Sequence, residues 1–216
     1  MAGKVRTVDG RVAGRRGQAT RLKLLDCLSD MLSSSPYRDV KVIDVARKAG
    51  TSPATFYQYF PDVEGAVLEL ADSTAKEGSG ELNALVADRS WTGKAGAQTA
   101  EDLVDGFLTF WRRNEAILRV IDLAAAEGDK RFTRLRTKLL TSVVGSLTES
   151  IKEQQARKRV DPDVSAAALA GSLVTMMTGV AGHQKSFSTW GARQADLKPG
   201  LTLLVHLGVT GRKPAA

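Results

Sequence analysis

Residues 42–60, VIDVARKAGTSPATFYQYF, constrain the fold most, because they join two short helical patterns through a turn that few residue types can make. Val42, Val45, Ala46 and Ala49 fall on one helical face, and Gly50 then ends the pattern, since glycine tolerates the left-handed conformation that reverses a chain after a helix. Ser52 and Pro53 are an N-cap and a first-turn proline, so a second helix is predicted over 53–60, stopping at Pro61. Two short helices at a tight turn are the layout of a helix-turn-helix. Small Ala46 lets the helices approach, and Phe56 and Phe60, one turn apart, anchor the second helix on the core. Ala54, Thr55 and Gln58 then point away from that core, with Tyr57 and Tyr59 on the flanks, at about 100° per residue. That outward face could enter a major groove.

The rest of the chain also reads as helical, and the predicted class is all-α. Leu22, Leu25, Leu28 and Leu32 mark a first helix from about residue 18, ended by Ser33-Ser34-Ser35-Pro36. Asp62 offers an N-cap for a helix to about residue 76, where Gly78 and Gly80 weaken it, and 78–99 read as a helix end plus a loop. Thr99 then resembles the cap of a helix carrying Leu103, Val104, Phe107, Leu108 and Trp111. Further helices are predicted over about 115–126, over a stretch after Gly128-Asp129 to about 155, from Asp161-Pro162, and over 201–207. The expected organisation is a basic, disordered arm (1–17), a three-helix helix-turn-helix domain (18–64), a larger helical domain (65–211) and a tail (212–216).

Charge singles out the arm. Residues 1–23 hold Lys4, Arg6, Arg11, Arg15, Arg16, Arg21 and Lys23 against Asp9, a net +6, leaving 24 positive and 23 negative charges on the other 193 residues. A basic arm on a neutral body points to nucleic acid or an anionic membrane, or else to a solubilising tail. Residues 164–184 carry no charge and have the length of a bilayer span, but Ser165, Gly171, Ser172, Thr175, Thr178, Gly179, Gly182 and His183 dilute them, so a buried helix and no membrane is the expectation. With one cysteine, Cys27, and no charged-then-apolar leader, the chain reads as cytoplasmic.

From Asp44 to Asp62, DVARKAGTSPATFYQYFPD, preceded by Tyr37 and followed by Glu64, Ala66, Val67 and Leu68, the chain resembles the TetR family of bacterial transcriptional repressors. The motif covers roughly 50 residues; elsewhere only length, helicity and helix order agree. The resemblance implies a homodimer that places two recognition helices in successive major grooves of a double-stranded operator, repressing transcription until a small molecule binds the C-terminal domain. Base-edge contacts map by resemblance to Pro53, Ala54 and Thr55, and phosphate contacts to Thr51, Ser52, Tyr57 and Tyr59. This chain departs from the family at Val63, where Lys is frequent, and at Lys41, where a capping Thr or Ser is frequent, although Lys41 could itself reach a phosphate. The recognition helix has no Arg or Lys, so bidentate guanine reading from it is not expected, and methyl contacts from Ala54 and Thr55 or hydrogen bonds from Thr55 or Gln58 replace it. Phosphate neutralisation falls to Lys41, Arg47, Lys48 and the arm, including Arg15 and Arg16.

Two partner surfaces are expected beyond the motif. Ala167, Gly171, Thr175 and Gly179 make a small-residue stripe at intervals of four, suited either to helix-on-helix dimer contact or to burial within one subunit. In the resembled family the last two helices form the dimer's four-helix interface, which adds Leu201, Leu204 and Val205. Phe107, Phe110, Trp111 and Leu123, facing Leu140, Met176 and Met177, would line a cavity for a small hydrophobic effector, or else fill a core. His183 and His206 are the only histidines, and there is no cysteine pair, Walker loop or strand-backed GxGxxG, so no enzyme activity, metal or cofactor is expected. The rival readings are a nonspecific architectural DNA binder using the arm, and an enzyme using His183 as a base.

Overall fold

A computed structural model describes Val8 and residues 14–212. All its regular structure is helical: α1 (Arg15–Ser34), a 3-10 turn (Tyr37–Asp39), α2 (Val42–Lys48), α3 (Pro53–Tyr59), α4 (Val63–Ala84), α5 (Gly93–Arg113), α6 (Glu115–Ala126), α7 (Lys130–Ala156), α8 (Ala166–Gly182), a 3-10 stretch (Gln184–Trp190) and α9 (Gln194–Thr210). The N-terminal helices form the helix-turn-helix arrangement, and a larger helical bundle follows. Contacts divide the chain into two compact units, residues 1–74 with 116–135, and residues 75–115 with 136–216.

In the first unit, α1, α2 and α3 pack on one another. Leu24, Leu28, Leu32, Val45, Ala46, Phe56, Phe60 and Val67 are buried there, as are Ile117, Leu118 and Ile121 of α6. Burying such side chains is worth about 1.5–3 kcal/mol each, which is what holds helices as short as α2 and α3. Polar ties fix their relative positions. Arg119 of α6 donates to the Leu32 carbonyl at 3.0 Å. Arg131 pairs with Glu64 at the start of α4 and with Asp129, whose carboxyl it holds at about 2. Arg21 pairs with Glu69 of α4 and lies over the Phe60 ring, 5.4 Å from its centroid. Burial nevertheless pushes the Glu69 carboxyl above its usual value, with Arg21 pulling the other way.

In the second unit α5 packs on both α8 and α9. Leu103, Phe107, Leu139, Leu147, Val174, Met177 and Val205 are among its buried residues. Five element boundaries differ from those expected, and four of them are explained by contacts the local pattern does not show. α4 runs through both glycines to Ala84, because a Cβ on Gly78 would lie 2.3 Å from the Phe110 ring and 2.6 Å from Leu139, so the glycine is the point of closest approach. α5 starts at Gly93; Thr99 lies inside it, its hydroxyl donating to the Ser90 and Ala95 carbonyls at 2.8 and 3.0 Å. α8 starts at Ala166, capped by Ser165, because the Gln155 amide donates to the Asp161 and Val164 carbonyls, each at 2.8 Å, and holds that segment as a turn. α9 starts at Gln194 and carries Pro199 inside it, since an Arg193–Asp196 pair closes its first turn and Lys198 pairs with Glu101 and Asp105 of α5. The start of α1 at Arg15 extends the expected helix by three residues. Cys27 is buried and unpaired. Among the described residues no helix is long and apolar enough to cross a membrane.

The two α4 glycines give a paired prediction. Gly78→Ala should destabilise by about 1–3 kcal/mol through overpacking against Phe110 and Leu139. A Cβ on Gly80 meets nothing within 4 Å, so Gly80→Ala should stabilise by about 0.5–1 kcal/mol through helix propensity. Urea denaturation midpoints of the two variants, expected to move in opposite directions, check the packing at α4.

Candidate nucleic-acid interface

The turn between α2 and α3 is built from backbone hydrogen bonds that its sequence permits. Gly50 has φ +66°. Its N–H donates to Arg47 at 3.0 Å, and the Thr51 N–H donates to Ala46 at 2.9 Å, the two bonds of a Schellman motif. Ser52 then caps α3, its hydroxyl accepting from the Thr55 N–H at 3.2 Å, and Pro53 occupies the first turn, where no N–H is needed. Lys41 at the N-cap of α2 makes no side-chain capping bond. Asp62 does cap α4, accepting from the Gly65 N–H at 2.7 Å.

This frame fixes the orientation of α3. Phe56 and Phe60 are 0% and 2% exposed, with ring centroids 5.4 Å apart, so the helix cannot roll without emptying the core. Ser52, Pro53, Ala54, Tyr57 and Gln58 are exposed, and Thr51, Thr55 and Tyr59 half-buried. The residues expected to meet DNA therefore share one face and its margins. Thr55 Oγ1 lies 3.0 Å from Ser52 Oγ, so its hydroxyl is shared with the cap. Around the neutral helix stand exposed cations: Arg15 and Arg16 open α1, Lys41 precedes α2, and Arg47 and Lys48 pair with Asp44 and Asp30 at 3.1 and 3.3 Å. Exposed pairs of this kind are worth at most about 1 kcal/mol, so a phosphate can displace the acid. Lys4, Arg6 and Arg11 lie outside the described residues, as do 213–216; the Val8 N–H donates to the Gln58 carbonyl at 2.9 Å.

The residues expected to line an effector cavity are not all brought together. Phe107, Phe110, Trp111 and Met177 are buried in the second unit, with the Phe107 and Trp111 rings stacked at 5.8 Å, and Leu140 and Met176 are half-buried there. Leu123 belongs to the first unit and is 48% exposed. Of the expected dimer residues, Ala167, Thr175, Gly179 and Leu204 are exposed and Gly171 half-exposed, whereas Leu201 and Val205 are buried within the protomer. Sequence reasoning missed the Arg21–Glu69 and Arg131–Glu64 pairs and a cavity of 420 Å³ between residues 33–38 and Arg119, Val120, Leu123 and Glu127. No local pattern signals any of these, because the partners stand 48 to 94 residues apart.

Known proteins match both parts of the chain. The family described as "Bacterial regulatory proteins, tetR family" matches residues 24–70, and "Tetracyclin repressor-like, C-terminal domain" matches residues 82–216. The chain is 26% identical over 164 residues to the nucleoid occlusion factor SlmA of Shewanella pealeana, covering 74% of this chain and 79% of that protein. In structure it is similar to the fatty acid degradation regulator FadR of Bacillus halodurans, with a TM-score of 0.67 at 13% identity over 90% of this chain and 96% of that one. A TetR/AcrR-family transcriptional regulator of Thermobifida fusca gives a TM-score of 0.62 at 15% identity over 87% and 97%.

Proposed function

The chain belongs to the TetR family of bacterial regulatory proteins, and on that premise we propose that it is a sequence-specific repressor released from its operator by a small hydrophobic molecule. DNA binding and homodimerisation follow from the family fold. The observation that carries sequence selectivity is the exposed face of α3, Ala54 to Gln58, held in one orientation by buried Phe56 and Phe60. A helix so fixed can read base edges, whereas a binder relying on the arm alone would need no such face. Release by an effector is supported by the aromatic and methionine side chains at Phe107, Phe110, Trp111, Met176 and Met177, which can repack around an apolar guest. Mass spectrometry of organic extracts from the purified protein tests that part, with a copurified apolar molecule that lowers operator affinity as the expected result.

Two substitutions separate positioning from reading. Tyr57 is 51% exposed, and removing its hydroxyl in Tyr57→Phe should weaken binding to operator and random duplexes by a similar factor, because a phosphate contact carries no sequence information. Thr55→Ala should narrow the gap between the two DNAs by about 1–3 kcal/mol. Equal losses on both DNAs would remove Thr55 from base reading and leave it as part of the Ser52 cap.

A second reading has one observation in its favour, the likeness to a nucleoid occlusion factor over three-quarters of the chain. On that reading the chain would act in nucleoid occlusion instead of at promoters. Mapping the bound sites in cells distinguishes the two.

A further inference from the structure

The 420 Å³ cavity in the first unit lies between the C-terminal end of α1 with the following turn (Ser33 to Arg38) and one face of α6 (Arg119, Val120, Leu123, Glu127). Its size falls within the range of small-molecule sites. Its floor is apolar, formed by Pro36, Val120, the half-buried Tyr37 ring and Leu123, a leucine left 48% exposed. Burial, followed by Glu64 and Asp62, pushes the Tyr37 phenol above its usual value, so the ring stays neutral.

The polar groups around this floor are not all spent. Arg38 pairs with Glu127, which neutralises both. Arg119 pairs with no carboxylate among the described residues; its one hydrogen bond, to the Leu32 carbonyl at 3.0 Å, leaves most of its five N–H donors unused. The half-buried Ser35 hydroxyl has no partner among the described residues, whereas those of Ser33 and Ser34 donate to Ser29 and Met31. The end of α1 would repel an anion, but Arg119 covers the Leu32 carbonyl, and the Ser35 N–H and Ser34 hydroxyl cover that of Met31. An uncompensated guanidinium and a free hydroxyl donor beside an exposed leucine and an aromatic face match one chemistry, a carboxylate joined to an apolar body.

We propose that this cavity is a binding site for an amphipathic organic carboxylate, its acid held by Arg119 and Ser35 and its apolar body on Leu123, Val120, Pro36 and Tyr37. It is separate from the effector position proposed in the second unit, and binding here requires neither DNA nor that effector.

The test uses the full-length protein and three matched probes: 2-naphthylacetate, its neutral amide, and the 2-naphthylmethylammonium cation. Calorimetry should show saturable binding of the carboxylate at one per protomer, about 10-fold or more tighter than the amide, as expected for a charge-assisted hydrogen bond. Arg119→Gln should remove that advantage and leave amide binding unchanged. Leu123→Asp, at an exposed position where the fold is insensitive, should weaken both. Backbone amide NMR shifts on titration should centre on residues 33–38 and 119–127. The proposal is overturned if the carboxylate binds wild type and Arg119→Gln equally, if the cation binds best, if the shifts fall outside these segments, or if no probe saturates.

Discussion

The double variant Gly171→Arg, Leu204→Arg is expected to sediment as a folded monomer. Both positions tolerate arginine in the protomer: a Cβ on Gly171 meets nothing within 4 Å, and Leu204 is 52% exposed. They lie on α8 and α9, which pack on each other and leave Ala167, Thr175, Gly179 and Leu203 uncovered as well. A patch of alanine, glycine and leucine left open at the end of a chain that dimerises is the surface a second copy would cover. In a two-fold interface each arginine occurs twice, and a buried charge without a partner costs about 3–5 kcal/mol. Dissociation should therefore be complete at micromolar protein, with helix content by circular dichroism unchanged. Operator affinity should fall by orders of magnitude, because two half-sites no longer bind as one. An unchanged dimer at sedimentation equilibrium would place the interface elsewhere.

Deleting residues 2–13 should have the second largest effect, on affinity and its salt dependence. It removes Lys4, Arg6 and Arg11 along with Asp9, and leaves α1 intact from Gly14. α3 carries no Lys or Arg, so the phosphates must be met from its surroundings, and Arg21 is already committed to Glu69 and Phe60. Three phosphate contacts per subunit correspond to a log-log salt slope flatter by about 2–3, hence about 5 for a dimer, at roughly 0.9 per contact. Binding at low salt should drop steeply while the preferred sequence stays the same, since backbone contacts position without reading. A deletion variant with the salt slope of the full-length protein would show that the arm only solubilises.

What the sequence disclosed was local chemistry. The helix-turn-helix was legible residue by residue, because Gly50, Ser52, Pro53 and Asp62 each act on their own neighbours within four positions. α6 was legible over its full length for the same reason, its apolar stripe lying between a helix start at Glu115 and Gly128. The misread boundaries are those where distant partners override propensity. Gly78 looked like a helix end and is instead the place where Phe110 and Leu139 press on α4. The last helix was expected from Leu201, yet Lys198 is held by two acids of α5 and the helix begins seven residues earlier, at Gln194. The exposed face of α3, with Ala54, Tyr57 and Gln58 turned away from buried Phe56 and Phe60, could be named from spacing within one motif. That residues 116–135 pack with the N-terminal unit, and that Leu123 lines a cavity beside α1, could not, because no periodicity states which distant helix a face will meet.

The central claim is that α3, presented twice by a symmetric dimer, reads sequence. Selection from a random duplex pool by the full-length protein at physiological salt, followed by sequencing of the bound fraction, tests it most directly. The account predicts enrichment of an inverted repeat whose half-sites stand about one helical turn or a multiple of it apart, with enrichment lost in a variant where Ala54, Thr55 and Gln58 are replaced together. A bound pool with no more sequence order than the input, or an enriched site unaffected by that triple replacement, would contradict it.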